Sequence, residues 1–309
     1  MSENEWGFVT IPTQADPEQR AISMLRIASE MSLKHYGTPL VVTTSGGKDS
    51  SVCVELALRG GIPFEVQHNH TTADAPETVR FVRQEFARLE NLGVKCTINY
   101  PVYKGKRTSM WDLIPQKLMP PTRIMRYCCS VLKEQSGHGR FITTGVRWAE
   151  SSRRKRDRGV FEAYTRNKEN KIVLKGEEQE PSEIFESCKI AAKRIVNPIV
   201  DWSDKQVWSF LQDAKVPVNP LYECGMSRVG CIGCPMASKK RYAEFRRWPA
   251  YEKLYIRAFE RMMDERKRRG MAGNWQTGQD VFRWWMEEDV LPGQMSVDDY
   301  FDGEERAAL

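Results

Sequence analysis

The 309-residue chain contains no apolar run approaching the roughly 18 residues that a membrane-spanning helix needs. No membrane partner is expected. Residues Met1 to Pro17 are polar and acidic and lack the basic-then-apolar order of a secretory signal, so a cytoplasmic location is expected. Histidine is scarce: His35, His68, His70 and His138 follow no spacing that builds a metal site or a catalytic pair, although His70 stands near a segment of interest. Internal repeats and low-complexity tracts are missing, which excludes solenoids and tail-like disorder. The chain also lacks the Gly-x-x-x-x-Gly-Lys-Ser/Thr loop of common nucleoside triphosphatases, and no cysteine follows Cys234.

What remains is an ordinary globular composition, 40% hydrophobic and 28% charged, in a chain long enough to bury a core without staples. Eight cysteines are present. In a reducing compartment, an adjacent pair and a Cys-x-x-Cys read as metal ligands or redox thiols rather than disulfides. The net charge of +6 hides a basic stretch at Arg147 to Arg158, a second at Lys239 to Arg269, and an acidic tail. Basic clustering suits a polyanion, either nucleotide phosphates or a nucleic-acid backbone. The second stretch reads equally well as a solvated helix face with internal ion pairs.

A helical segment at Glu18 to Tyr36 precedes a β-branched run, Pro39 to Thr44, that ends in Ser45-Gly46-Gly47. The spacing then predicts a helix from Ser50 to Arg59 stopped by Gly60-Gly61, a strand at Phe64 to His68, a helix at Glu77 to Leu92 and a strand at Lys95 to Tyr100. Further strands are expected at Phe141 to Val146 and Ile195 to Ile199, with a helix starting near Ser203. Alternating strands and helices predict an α/β fold with a doubly wound parallel sheet. From Trp202 onward the strand signal fades. The expected organisation is therefore a nucleotide-binding domain over 1–201 and a smaller, mainly helical region over 202–309 carrying a cysteine-rich loop at 219–235. Residues 167–180 read as a hairpin or exposed insertion, and the crowded C-terminal tryptophans mostly as core.

The loop Ser45-Gly46-Gly47-Lys48-Asp49-Ser50-Ser51 lies between strand and helix, where backbone N–H groups and the helix N-terminus converge on an anion. The glycines allow close approach, Lys48 supplies a charge, and the serines supply hydroxyls. In such sheets the ligand sits at the carboxyl ends of the strands.

With these residues the chain resembles the phosphoadenosine phosphosulfate reductase family of the adenine nucleotide alpha-hydrolase, or PP-loop, superfamily. The resemblance runs from about Leu40 to Pro235. His70-Thr71-Thr72-Ala73-Asp74-Ala75-Pro76-Glu77-Thr78 is similar to that family's second-strand segment, and Gly145-Val146-Arg147-Trp148-Ala149-Glu150-Ser151-Ser152-Arg153-Arg154 fits its Gly-x-Arg-x-x-Glu-Ser-x-x-Arg signature. The resemblance implies that Ser45 to Ser51, Thr72, Asp74, Gly145, Arg147, Glu150 and Ser151 contact ATP or an adenylylsulfate-type nucleotide with Mg²⁺. Lys48, Asp49, Arg147 and Arg154 would then be catalytic, the two arginines by bidentate contact with phosphate or sulfate.

Cys128-Cys129 and Cys224-x6-Cys231-x-x-Cys234 form two thiol packets, whose type suits zinc or an iron–sulfur cluster. Resemblance to adenylylsulfate reductases and DNA-phosphorothioation enzymes implies [4Fe–4S]. Two arrangements stay open. Either Cys128, Cys129, Cys231 and Cys234 bind the cluster and Cys224 is a nucleophile or sulfur carrier, or Cys224, Cys231 and Cys234 join one of the adjacent pair; the phosphorothioation enzymes favour the second. Cys53, Cys96 and Cys188 read as structural thiols. The reductases share a C-terminal Glu-Cys-Gly-Leu-His tail that this chain does not carry, which shifts the expectation toward ATP-dependent adenylylation coupled to sulfur transfer. Sulfonucleotide reduction and a non-catalytic redox sensor are the rivals. The implied partners are an adenine nucleotide, a nucleic-acid or small-molecule acceptor, a cysteine desulfurase or thioredoxin-like donor, and a second copy in a homodimer.

Overall fold

The computed structural model describes residues 16–134, 137, 139–164, 171–174, 193–271 and 275–286. The expectations for Cys188, His138, the N-terminal segment, the acidic tail and most of 167–180 lie outside these residues.

The described chain forms two compact units. One takes in the residues up to His70 together with 75–99 and 134–230; the other takes in 71–74, 100–133 and the residues from Cys231 onward. The chain therefore passes from one unit to the other several times rather than dividing once near residue 201. The cysteine-rich loop at 219–235 is itself split between them.

The first unit is α/β. Its sheet has the order β3-β2-β1-β6-β9-β7-β8, with β1 (Leu40–Thr44), β2 (Phe64–Asn69), β3 (Cys96–Asn99), β6 (Phe141–Thr143) and β9 (Lys193–Val196) all parallel. β7 (Phe161–Tyr164) runs antiparallel to both β9 and β8 (Lys171–Leu174). Helix α1 (Pro17–Tyr36) begins with Asp16 accepting from the Glu18 N–H and ends on Gly37 at φ +63°, a left-handed cap that glycine adopts at little cost. Helix α2 (Lys48–Gly60) ends on Gly61 in the same way, and α3 (Pro76–Asn91) starts with proline in its first turn. Leu40, Val42, Val52, Leu56, Val66 and Phe141 are buried in one core with Leu25 and Ala28 of α1. Leu40-Val41-Val42 of β1 reads as a continuous apolar run because both faces of this central strand are covered.

β7 was not legible as a strand. Its Glu162 is fully buried and accepts from Arg158 Nε at 2.6 Å, Asn197 Nδ2 at 2.9 Å and the Gly159 N–H at 3.2 Å. A carboxylate held by this many donors can occupy a core position that the apolar pattern assigns to a hydrophobe. The helix expected near Ser203 is α7 (Asp204–Asp213), capped by the Ser203 hydroxyl with Gln206 bonding back to the cap. A shorter helix, α6 (Ser152–Asp157), is capped by Ser151.

The second unit is mainly helical, with α4 (Met110–Lys117), α5 (Tyr127–Leu132), α8 (Lys240–Arg247), α9 (Pro249–Arg268) and α10 (Gly278–Trp285), plus a small hairpin of β4 (Val102–Tyr103) and β5 (Lys106–Arg107). Its core is aromatic: Tyr255 lies 5.0 Å from Trp111 and 4.6 Å from Trp285, centroid to centroid, and Phe259 lies 5.4 Å from Trp285. Of the C-terminal tryptophans, Trp202, Trp248 and Trp285 are buried core, while Trp208, Trp275 and Trp284 are half-buried. Trp285 satisfies its indole N–H on the Pro121 carbonyl at 2.6 Å, as a buried Trp must. No described helix is long and apolar enough to cross a membrane.

Replacing the cap by Ser203→Ala is expected to destabilise the first unit by about 1 kcal/mol, read as a lower urea midpoint; an unchanged midpoint would show that α7 does not depend on this cap.

Candidate functional site

β1 is flanked by β2 on one side and β6 on the other, so the connections leaving β1 and β6 diverge at its carboxyl end. Such a switch point is where an open α/β sheet leaves a crevice. The Ser45-Gly46-Gly47 loop follows β1 there. Gly46 sits at φ +73°, and a Cβ on it would meet Thr78 Cγ2 and Val82 Cγ2 at 3.0 Å. Across the crevice, a Cβ on Gly145 would lie 2.8 Å from the Asp49 carbonyl carbon. The glycine after β6 is therefore required by the close approach of α2.

The loop is internally bonded. Ser50 Oγ donates to the Gly47 carbonyl at 2.8 Å and accepts from the Ser45 N–H at 3.2 Å, while the Gly46 N–H donates to Thr44 Oγ1 at 3.2 Å. Ser51 Oγ reaches the Gly47 carbonyl at 3.3 Å. Two residues from far along the chain complete it. Asn219, buried, donates through Nδ2 to the Gly46 carbonyl and to Thr78 Oγ1, both at 3.1 Å. The Tyr222 hydroxyl accepts from the Lys48 N–H at 3.0 Å, and burial pushes its pKa up.

The charges form a compact set. Lys48 is 8% exposed, and its Nζ lies 2.9 Å from Asp49 Oδ2 and 3.2 Å from Asp204 Oδ1. Arg147 is 1% exposed; it donates from Nε to Asp49 at 2.6 Å, from Nη2 to Asp204 at 2.7 Å and from Nη1 to the Trp202 carbonyl at 3.1 Å. Sequence reasoning gave Arg147 a phosphate to hold. In the structure its fork meets the two carboxylates that also pair with Lys48. The Arg147 hydrogen bond, with Lys48 adding to it, holds the Asp204 carboxyl below the usual carboxylate range. Arg154, on α6, is partly exposed and ion-paired with Glu150, whose carboxylate also accepts from the Arg147 N–H at 3.0 Å.

Asp204, Asn219 and Tyr222 were missed. Asp204 looked like an ordinary acid in the first turn of a capped helix, and nothing local marks the other two.

Thr72 and Asp74, read from the sequence as nucleotide contacts, belong to the second unit. Thr72 takes φ +63°, and its hydroxyl accepts from the Met110 N–H at 2.8 Å. Asp74 accepts from the Thr71 N–H at 2.8 Å and forms an antiparallel bridge with Cys231. It therefore stands beside the thiols.

In this unit Cys128 and Cys129 start α5, and Cys231 and Cys234 flank a turn in which Gly233 at φ +71° packs so closely that a Cβ would meet Phe245 at 2.6 Å. Cys128 lies within electrostatic reach of Cys129, Cys231 and Cys234. Cys128 and Cys129 share a hydrogen bond that pushes Cys128 up and Cys129 down, and the Lys133 and Arg126 charges add to the second shift. Lys133, one turn beyond Cys129, has its ammonium pKa raised first by Cys231, then by Cys129, Asp74 and Cys234. Arg126 Nη2 donates to Cys129 Sγ at 3.5 Å, and Cys231 Sγ meets Thr71 Oγ1 at 3.3 Å. Burial pushes the Cys231 thiol up. Lys133 carried a signal that went unread: its i+4 spacing from Cys129 puts both on one helical face. Cys224 is exposed and belongs to the first unit. Cys53 is buried and Cys96 half-buried; burial pushes both thiols up, Cys96 to about 11, as inert structural thiols require.

The chain belongs to the phosphoadenosine phosphosulfate reductase domain family, whose profile matches residues 39–237. It is 29% identical over 283 residues to an uncharacterised protein of Methanocaldococcus jannaschii, covering 90% of this chain but 58% of that relative, so it spans little more than half of that protein. It is 23% identical to the phosphoadenosine 5′-phosphosulfate reductase of Proteus mirabilis over 64% of this chain and 72% of that one. Among solved structures, a phosphoadenylyl-sulfate reductase from Candida auris in a phosphate complex aligns with a TM-score of 0.43 and 16% identity, over 71% of this chain and 89% of that one.

Arg147→Ala leaves Asp49 and Asp204 with Lys48 alone and is expected to cost about 1.5–3 kcal/mol, read by urea titration at neutral pH. A midpoint equal to wild type would refute the bracing role. Because the folded Asp204 pKa is lowered, its contribution is present above the unfolded carboxylate value and is lost as pH falls through the folded one. Asp204→Asn should therefore lower stability at neutral pH and flatten the acid limb of a stability-versus-pH curve; a parallel curve would contradict the pairing.

Proposed function

We propose that the chain is an ATP-using enzyme that adenylylates an acceptor oxygen so that sulfur can replace it, with an iron–sulfur cluster on four of its cysteines. The supporting observation is that one chain of this family carries both a strand–Gly-Gly–helix loop at the switch point of its sheet and, in one unit, Cys128 within electrostatic reach of Cys129, Cys231 and Cys234.

In the first unit, the loop and the N-terminus of α2 receive the phosphates, and Lys48 supplies positive charge to them. Asp49 and Asp204 offer hard oxygen ligands that suit the Mg²⁺ entering with ATP. Arg147 keeps both carboxylates in place, so that Lys48 stays aimed into the crevice. The acceptor oxygen attacks the α-phosphorus, the α–β bridging P–O bond breaks, and pyrophosphate leaves with the bonding electrons, its charge offset by Lys48 and Mg²⁺. Arg154 is positioned at the rim by Glu150.

The second unit supplies soft donors. Cys128, Cys129, Cys231 and Cys234 fit a [4Fe–4S] cluster: four thiolates are the required number, Cys129 is biased toward its thiolate, and the Lys133 ammonium offsets the anionic charge that such a group brings. When bound, the cluster supplies electron transfer or a seat for sulfide. Cys224 is thereby left as the exposed thiol available to carry sulfur from a cysteine desulfurase or electrons from a thioredoxin-like donor. The relatives named as reductases of adenylyl sulfates favour one rival, in which a thiol attacks the nucleotide's sulfur, AMP (or its 3′-phosphorylated form) leaves, and a second thiol displaces sulfite and closes a disulfide.

Anaerobically purified protein is expected to contain iron and sulfide and, given ATP and an acceptor, to yield AMP and pyrophosphate. Sulfite from adenylylsulfate without ATP turnover would establish the rival, and zinc without iron would refute the cluster. Lys48→Ala should fold and lose about 10- to 100-fold in kcat/KM, the worth of one charge-assisted bond; full activity would end the phosphate role. Cys231→Ser should lose iron while Cys224→Ser keeps it and loses turnover. Iron loss in Cys224→Ser would instead make Cys224 a ligand.

A further inference from the structure

The acceptor is the part of this reading that the nucleotide loop does not address, and one surface of the second unit bears on it. β4 and β5 form a hairpin whose turn residues, Lys104 at φ +51° and Gly105 at φ +76°, both lie in the left-handed region. A two-residue turn of this kind matches the twist of its strands and carries Lys104, Lys106 and Arg107 at exposed positions. Residues 100–107 and 117–126 together hold six cations, namely Lys104, Lys106, Arg107, Lys117, Arg123 and Arg126, and no Asp or Glu.

The two segments form one face. Lys117 Nζ lies 4.5 Å from the ring centroid of Tyr103 on the hairpin and 5.9 Å from that of Tyr127 on α5. Arg107 stacks its guanidinium 3.9 Å from the Tyr100 centroid. Tyr100, Val102, Ile124 and Met125 are 41–47% exposed, so rings and apolar side chains alternate with cations instead of being sequestered. The face runs to the cysteine site, where Arg126 donates to Cys129.

The other basic stretch of this unit differs. Within 239–269, Arg268 and Arg269 pair with Glu265, Arg261 pairs with Asp112, and Arg241 donates to the Trp285 carbonyl. Trp248 and Tyr255 are buried in the core. These four cations are matched and these two rings are inside.

We propose that the face built by residues 100–107 and 117–126 binds single-stranded nucleic acid, the cations tracking phosphates and the exposed Tyr100 ring and apolar side chains receiving unstacked bases. An acid-free cationic groove with exposed rings is the combination that binds single strands. A duplex keeps its base faces stacked inside and cannot use the rings. Naming this ligand as the acceptor rests on the adenylyl-transfer reading above; the binding itself does not.

The test is fluorescence anisotropy of the full chain with fluorescein-labelled, mixed-sequence 15-nucleotide DNA and RNA strands, without adenine nucleotide. The combined variant Lys104→Gln/Lys106→Gln/Arg107→Gln should bind at least tenfold more weakly. Its log K against log salt slope should also be smaller by about 2, as three lost phosphate contacts require. Tyr100→Ala should weaken binding by roughly 5- to 150-fold, and an abasic strand should bind more weakly than the intact one. All four substituted residues are on the surface, so circular dichroism should match wild type. Wild-type affinity in the combined variant, equal affinity for abasic strand or duplex, or no strand binding by wild type would overturn the proposal. Strand binding that persists in a chain that makes no AMP from ATP would refute the adenylyl-transfer reading and leave this face standing.

Discussion

The first unit depends on one buried guanidinium. Arg147 leaves the end of the β6 connection and ties Asp49 at the start of α2 to Asp204 at the start of α7. Both helices are thereby anchored at their N-termini under the crevice. A permanently charged, five-donor group suits this position, since a lysine there would satisfy one carboxylate and leave the other short. The arrangement also neutralises itself: two cations face two carboxylates, so Lys48 can be kept largely from water without the cost of an isolated charge. An incoming polyanion would then meet a site already balanced in charge.

The two kinds of donor fall in separate units. Backbone amides, hydroxyls and carboxylates gather where parallel strands end, because an α/β switch point exposes N–H groups and helix N-termini there. Thiols gather in a helical unit with an aromatic core, where burial and the neighbouring lysine and arginine set which thiol is the better thiolate. The sequence interleaves them, and segments 71–74 and 100–133 leave the α/β unit between its strands. A linear division near residue 201 could not have described that.

Legibility followed locality. β1, the glycine loop and α2 were readable because β-branched residues, glycines and a capped apolar helix occur consecutively, and Leu40 to Thr44 and Lys48 to Gly60 formed where the pattern put them. The adjacent and Cys-x-x-Cys thiols were readable for the same reason. β7 was not, since Glu162 relies on Asn197, 35 residues away. The orientation of Arg147 was not, since its partners lie 98 residues before it and 57 after. Signature residues therefore announced a site without revealing which of them faces the ligand and which holds the others still.

The Tyr222 hydroxyl on the Lys48 amide has a thermodynamic corollary. At that position the resting loop is not a bare hole, because a neutral oxygen already satisfies the donor. A phosphate oxygen that claims this amide gains only the difference between an anionic and a neutral acceptor. Pre-filling of this kind trades affinity for easy exchange, so an anion held there can leave without stranding the donor it used.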